Sequence, residues 1–426
     1  MENIIDFLDE YKFNGIVNIK YKKQHHFNVT GLKNKYDKID ENTIFPLGSI
    51  SKAFYGTVII MLLDKNLIKS LDDTIMTYLP TFKNIEFFNK ITVLECLLHT
   101  SGIKEIRSNE NFNQDKTYNI NELISLINQF KLYNKDMHGS YEYSTANYFI
   151  IGKICDNLCG SSKKFIQANI FDKLKLKETV FIDDVIKNPS KYNFAEGNNL
   201  DNKKLDIPNY WKNQFYGGDI CATYKDLNVF FINRHKLIKK KNVELLTKNF
   251  DIVTPDYAKL GNTVIKKQHI IIGLRLIILD KNTYMITAGH FPGYHVSSLY
   301  SFDFKTIINT FSNIDKTGSM YHMDELAKNF LIVLATKFKF YMRPKIGEIK
   351  QIKDFSKYIG KYKNDYTFYE ITEKNNKLYL YSRKQTNELI YLGRGKFYRN
   401  NFSYVKIAGN KLSVVYYFGD KFDLLR

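Results

Sequence analysis

Nowhere does the chain hold an apolar stretch uncharged and long enough to cross a membrane, which takes about 20 consecutive residues. Its first residues, Met1-Glu2-Asn3-Ile4-Ile5-Asp6, are acidic and amphipathic. They lack the basic start and unbroken apolar core of a secretion signal. As written, the chain is therefore expected to be soluble and cytoplasmic; a removed leader would shift that expectation to the cell envelope or exterior. Cysteine is scarce, with only Cys96, Cys155, Cys159 and Cys221 among 426 residues. Cys155 and Cys159, at i,i+4 on a predicted helix, suit neither an easy disulfide nor a complete metal site, so all four read as core thiols of a reducing compartment. Negative charge is also in short supply: 44 acidic residues face 63 basic ones, for a net charge of +19. Such an excess favours polyanions, whether nucleic acid, anionic lipid or a wall polymer. No nucleic-acid recognition motif accompanies it. Runs such as Lys239-Lys240-Lys241 read as solvated surface, in a Lys-, Asn-, Ile- and Tyr-rich chain of the kind AT-rich coding produces. His25 and His26 have no companions at metal-ligand spacing and read as surface residues.

What is present is enough apolar residue, 44%, for a sizeable core, and length for about two to three domains. One stretch organises the rest. In Phe45-Pro46-Leu47-Gly48-Ser49-Ile50-Ser51-Lys52-Ala53-Phe54 a turn signal runs into the apolar segment Ala53 to Leu63. The pattern predicts a buried helix whose first turn carries Ser49 and Lys52, three residues apart and so on one face. A serine needs a base to become a nucleophile, and a buried lysine can serve as one. The helix start adds a partial positive charge and free N–H groups that can bind an oxyanion. By itself the Ser-x-x-Lys spacing also describes a helix cap followed by a surface lysine.

Further stretches decide between those readings. Asn66-Leu67-Ile68-Lys69-Ser70-Leu71-Asp72-Asp73 and Leu97-Leu98-His99-Thr100-Ser101-Gly102-Ile103 follow in order. With the Ser49 segment they resemble consecutive signatures of the serine β-lactamase-like family. Class C β-lactamases, D-alanyl-D-alanine carboxypeptidases, D-amino-acid amidases and related esterases belong to it. The resemblance runs to about Asn313 and is nearest to the penicillin-binding-protein-like hydrolases. His99 and Ser101 could be taken for a Ser–His pair; the preferred reading is that they tie down a helix end that stops at Gly102.

The family's second motif is Tyr-x-Asn. Tyr141-Glu142-Tyr143-Ser144-Thr145-Ala146-Asn147 resembles it, which places Tyr143 on the catalytic tyrosine and Thr145 where the family usually has Asn. A phenol near cations suits acid/base work. A threonine lacks the paired donor and acceptor of an amide, so substrate binding at Thr145 departs from the family pattern. Tyr216-Gly217-Gly218-Asp219 resembles the Gly-rich turn near the family's pocket. The third motif, Lys or His, a small residue and Gly on a pocket-lining strand, departs further. Aligned without a gap on Phe291-Pro292-Gly293-Tyr294, the chain offers Thr287-Ala288-Gly289-His290. Thr287 then replaces the cation, and the His290 amide joins that of Ser49 as an oxyanion donor. A gapped alignment instead makes His290 the motif histidine. The ungapped one is preferred because Pro292-Gly293-Tyr294 anchors it. Thr145, Thr287, Gly289 and His290 are the expected substrate-binding positions, and the His290 side chain is a candidate to restore the missing charge.

Ile270 to Leu279, Thr283 to Gly289, Val296 to Phe302 and Thr306 to Phe311 read as strands, and Met323 to Lys337 as a helix. After Arg343-Pro344-Lys345 come short alternating strands, including Tyr358-Ile359-Gly360-Lys361-Tyr362, Phe402 to Val405 and Leu412 to Tyr417. They read as a small antiparallel barrel, similar to the lipocalin-like domain often appended to these hydrolases. The expected fold is α+β: an antiparallel sheet flanked by helices, with a helical lobe, over residues 1–342, and a barrel over residues 350–426. The resemblance implies a serine hydrolase acting through an acyl-enzyme on D-alanyl-type peptides, amides or esters. Ser49, Lys52 and Tyr143 would be the catalytic residues, with no metal or organic cofactor. Its partners would be a small-molecule or peptide substrate and a cell-wall component, without nucleic acid or a membrane span. The alternatives are a catalytically weak binding protein, a β-lactamase, and a binder of anionic polymer resting on charge alone.

Overall fold

A computed structural model describes residues 1–10, 13–80, 86–108, 112–113, 115–129, 133–199, 203–206, 216–253, 265–279, 281–315, 326–336, 344–365, 367–381, 386–400, 403–416 and 421–426. The chain forms two compact units. One comprises Asn14–Pro255 and Lys267–Lys328; the other comprises Met1–Phe13, Asp256–Lys266 and Asn329–Arg426. The helices used below are α1 (Glu2–Glu10), α2 (Ser51–Asp64), α3 (Val93–Leu98), α4 (Ala146–Cys159), α5 (Tyr224–Asn233) and α6 (Leu326–Ala335). Among the described residues no helix is long and apolar enough to cross a membrane.

The first unit is built on a seven-stranded sheet. Its strands are β1 (Gly15–Tyr21), β2 (Gln24–Thr30), β3 (Ile265–Ile271), β4 (Leu274–Leu279), β5 (Asn282–Phe291), β6 (Tyr294–Ser301) and β7 (Ile307–Ser312). They lie in the order β2-β1-β7-β6-β5-β4-β3. Strands from distant parts of the chain meet where β1 runs antiparallel to β7, with Gly15 opposite Ser312. Helix α2 is apolar all round, and every residue except Leu63 is buried, as a central helix requires. Phe54 stacks on Phe230 of α5 with ring centroids 3.7 Å apart.

Two local expectations need correction. The predicted strand Ile270 to Leu279 is a hairpin, with β3 ending at Ile271 and β4 starting at Leu274. Its turn carries Gly273 at φ +70. A Cβ there would lie 2.6 Å from the Ala53 Cα, so the turn needs glycine both for its backbone and to sit against the start of α2. Apolar residues on both sides of the glycine, with no polar turn signal, disguised it. The helix before Gly102 also stops earlier than expected. Its start is a capping box between Thr92 and Glu95, and its end is His99 in the left-handed conformation, φ +59. Gly102, φ +74, instead lets the backbone pass Asn134, whose carbonyl a Cβ would approach to 2.6 Å.

In the second unit, Phe7 of α1 packs edge-on against Phe330 of α6 at 6.1 Å. Helix α6 lies inside the predicted helix Met323 to Lys337; residues 323–325 and 337 are outside the described residues, as are Asp280, Arg343, Phe402 and Tyr417. Eight antiparallel strands, β8 (Gly360–Lys363), β9 (Phe368–Lys374), β10 (Lys377–Tyr381), β11 (Thr386–Gly393), β12 (Lys396–Asn400), β13 (Ser403–Ala408), β14 (Lys411–Tyr416) and β15 (Lys421–Leu425), close into a barrel. Closure is made where Lys363 meets Leu425. Alternate residues such as Tyr369 and Ile371, or Leu378 and Leu380, point inward and fill it. The architecture is thus α+β with a C-terminal antiparallel barrel.

Candidate active site

Ser49 sits in a single 3₁₀ turn, Gly48–Ile50, that runs directly into α2. The strand Phe45–Pro46 leads into this turn and pairs with Ile220–Ala222. The Ile220 N–H in turn donates to Ser51 Oγ at 3.1 Å. Lys52, one turn on, is buried at 4% exposure. Its Nζ donates to Ser49 Oγ at 3.1 Å and to the Gly217 carbonyl at 3.1 Å. Lys52 Nζ lies 5.3 Å from the Tyr143 ring centroid and 5.4 Å from that of Tyr148. Among the described residues no carboxylate forms an ion pair with it, so its surroundings are dipoles and ring faces. Tyr143 Oη stands 2.7 Å from Ser49 Oγ on the other side. Thus Ser49, Lys52 and Tyr143 come together, although they are 94 residues apart at the widest. The Gly217 carbonyl is a fourth member; its stretch resembles the Gly-rich turn near the family's pocket, but nothing in it marks the carbonyl as a partner of Lys52.

Strand β5 passes directly behind the turn. A Cβ at Gly289 would lie 1.8 Å from the Leu47 carbonyl oxygen and 3.1 Å from the Ser49 nitrogen, so only glycine fits there. One at Gly48 would lie 2.8 Å from the His290 oxygen and 3.1 Å from its nitrogen. Pairing explains why the His290 backbone faces this way. The Pro292–Gly293 turn is closed by Phe291 opposite Tyr294, and the next pair is His290 opposite His295. Hydrogen-bonded and non-hydrogen-bonded pairs alternate from the turn, which directs the His290 N–H away from β6. On that side the recorded pairing with β4 stops at Ile286. The His290 backbone therefore lies against the Ser49 turn.

Side chains of β5 divide between two faces. Gly289 faces the Ser49 turn, and Thr287, 4% exposed, shares its face. The His290 ring lies on the opposite face, 4.7 Å from that of its cross-strand neighbour His295. Ser297 is on this second face and accepts from the Ala327 N–H at 2.9 Å. The His290 imidazole is consequently turned away from Ser49, and the charge absent at Thr287 is not restored by it.

Thr145 caps the start of α4 beside Tyr143, but its hydroxyl is engaged. Oγ1 lies 2.6 and 2.7 Å from the two oxygens of Glu105, which also accepts the Thr145 N–H at 2.8 Å. Arg107 Nε donates to the same carboxylate at 3.0 Å. Burial would raise the Glu105 pKa, but Arg107 and the Thr145 donors outweigh it and hold the group down at about 2. Asp219, two residues beyond Gly217, is the opposite case. Burial lifts its carboxyl to about 6, against the pull of Lys163 and the Tyr55 hydroxyl bond at 2.7 Å. Among the described residues no group of His, Cys, Asp and Glu could hold a metal ion.

A hydroxyl between an amine and a phenol is equipped to attack a carbonyl. Comparison with known proteins gives the family and the fold. The Beta-lactamase family model matches residues 2–290. Beta-lactamase-like protein 4 of Dictyostelium discoideum is 29% identical over 239 residues, covering 52% of this chain and 39% of that protein. The putative penicillin-binding protein PbpX of Bacillus subtilis is 25% identical over 328 residues, covering 75% of each. The chain thus spans about four tenths of the first relative and three quarters of the second. Two solved structures share the fold at low identity. The octameric penicillin-binding protein homologue of Pyrococcus abyssi is 18% identical with a TM-score of 0.65, covering 100% of this chain and 98% of that one. The D-amino acid amidase of Ochrobactrum anthropi SV3 is 16% identical with a TM-score of 0.61, covering 78% and 96%.

Proposed function

The chain belongs to the Beta-lactamase family, and on that premise we propose that it is a serine hydrolase working through an acyl-enzyme. Ser49 Oγ attacks the substrate carbonyl while Lys52 Nζ takes its proton. Tyr143 Oη delivers a proton to the departing amine or alcohol as the carbonyl–leaving-group bond breaks. It then takes one from the water that attacks the Ser49 ester, and Lys52 Nζ returns the proton it holds to Ser49 Oγ as the acid departs. The Ser49 and His290 amides carry the negative charge of each tetrahedral intermediate. The carrying observation is the double contact of Ser49 Oγ, 2.7 Å to Tyr143 Oη and 3.1 Å to Lys52 Nζ. The steps use side chains and backbone only.

The substrate class is a D-alanyl-type peptide, amide or ester, a cell-wall component among them. The D-amino acid amidase of Ochrobactrum anthropi shares the fold and gives that class a precedent in chemistry. Thr287 presents no cation for a substrate carboxylate, which favours an amide or ester over a β-lactam. Thr145 Oγ1, oriented by Glu105, is left as an acceptor for a substrate N–H. The same lack of a cation supports the second reading, a weakly catalytic binding protein.

Intact-protein mass after incubation with a fluorescent penicillin or a fluorophosphonate tests the reading, in the parent and in Ser49→Ala. We expect a fluorophosphonate adduct on the parent and none on Ser49→Ala. Penicillin labelling as well would mark a carboxylate-recognising pocket. An adduct that survives Ser49→Ala, or none on the parent, rejects the nucleophile and leaves the binding protein.

A further inference from the structure

Tyr143 is 37% exposed and lies on an irregular segment before α4, so something must hold its hydroxyl on Ser49. The residue that does so comes from the end of α3. The His99 carbonyl accepts the Glu142 N–H at 2.9 Å, and His99 Nδ1 accepts the Ser144 N–H at 3.3 Å. The two residues flanking Tyr143 are thus bonded to one residue. The imidazole also lies under the phenol, with ring centroids 4.5 Å apart and planes tilted by 35°. From these contacts we infer that His99 is a positioning residue for Tyr143, bracketing it on both sides along the backbone and supporting its ring. The inference rests on the acid/base role proposed for Tyr143.

The neighbours fix which form of the ring can do this. Asn147 Nδ2 lies 3.4 Å from His99 Nδ1, and its amide is oriented by Ser101 Oγ, which donates to Asn147 Oδ1 at 2.5 Å. With the Ser144 amide also donating, Nδ1 has to be an unprotonated acceptor, and the proton of the neutral ring sits on Nε2. Burial, with Lys52 adding to it, lowers the His99 pKa to about 3. The ring is then neutral at neutral pH, and Nδ1 stays free to accept the Ser144 N–H. The backbone adds a reason for histidine here. At φ +59 His99 occupies a conformation that few side chains tolerate, histidine, asparagine and aspartate among them. Strain of this kind persists where surrounding contacts over-determine it.

A double-mutant cycle tests the inference on the full chain. Fluorophosphonate labelling rates are measured for the parent, His99→Asn, Tyr143→Phe and the double variant, with thermal unfolding of each. Asparagine keeps the left-handed backbone and removes the ring. We expect His99→Asn to slow labelling about 10-fold or more when Tyr143 is present, as misplaced catalytic groups do, and less than about 2-fold in Tyr143→Phe. Equal losses in both backgrounds would mean that His99 acts independently of Tyr143 and would overturn the inference. If asparagine unfolds the chain, His99→Gln runs the same cycle. A crystal structure of the variant gives a readout independent of activity: Tyr143 Oη is expected beyond hydrogen-bond distance of Ser49 Oγ, and an unchanged 2.7 Å contact overturns the inference. Failure of the functional reading would look different, as labelling that persists in Ser49→Ala.

Discussion

Replacing Glu105 by glutamine separates charge from shape at the anchor of the Tyr143 segment. The carboxylate takes the Thr145 N–H and hydroxyl, the Arg107 N–H at 3.1 Å and Arg107 Nε at 3.0 Å. Its pKa falls from 4.5 to about 2 on folding, despite burial that acts the other way. A folded-state pKa below the unfolded one stabilises the native chain above the unfolded value and loses that effect as pH drops towards the folded value. At 1.36 kcal/mol per unit the stabilisation is roughly 3 kcal/mol at pH 7 and about 1 kcal/mol near pH 3. Glutamine keeps one acceptor but turns an N–H₂ towards Arg107, so a pH-independent cost is added. Urea unfolding of parent and Glu105→Gln at pH 7, 5 and 3 reads the difference. We expect the gap in stability to be widest at pH 7 and to narrow by about 2 kcal/mol at pH 3. A gap of constant size across that range would refute the argument, because the anchor would then be a matter of shape and not of charge.

Two further substitutions probe the site itself. Thr287→Lys should place a cation on the face of β5 that looks at Ser49, and penicillin labelling should rise at least several-fold relative to fluorophosphonate labelling; an unchanged ratio places Thr287 away from the substrate. Gly289→Ala forces a Cβ to within 1.8 Å of the Leu47 oxygen. It should destabilise the chain by about 1–3 kcal/mol and slow Ser49 labelling by about 100-fold, whereas parent-like labelling would show that β5 does not need to touch the turn.

The meeting of Ser49, Lys52 and Tyr143 was legible because each lies in a short, distinctive stretch whose order along the chain is itself informative. The strands were legible from apolar, β-branched runs, and the barrel from alternation. What was hidden depends on contacts between residues far apart, which leave no local period. Glu105 carries no mark of its bond to Thr145, 40 residues on. His99 reads as a tie on a helix end until the 142–144 backbone is seen to fold onto it. The His290 side chain was misjudged for a different reason. The two-residue period of a strand sends its ring to the face opposite Gly289.

The pairing of β1 with β7 also sets when the site comes into being. Asn18 donates to Asn309 at 2.9 Å across 291 residues of intervening chain, and β5, the strand behind Ser49, is joined to β1 through β6 and β7. A nascent chain that has emerged only to the end of α5 possesses Ser49, Lys52 and Tyr143 but has nothing to supply the second amide. At about 5–20 residues per second, ribosomal synthesis from there to Ser312 takes several seconds more. Pairing so remote along the chain is slow to form. On the proposed reading, the three side chains are thus made well before the strand that completes their oxyanion site, and hydrolytic competence would be acquired late in synthesis.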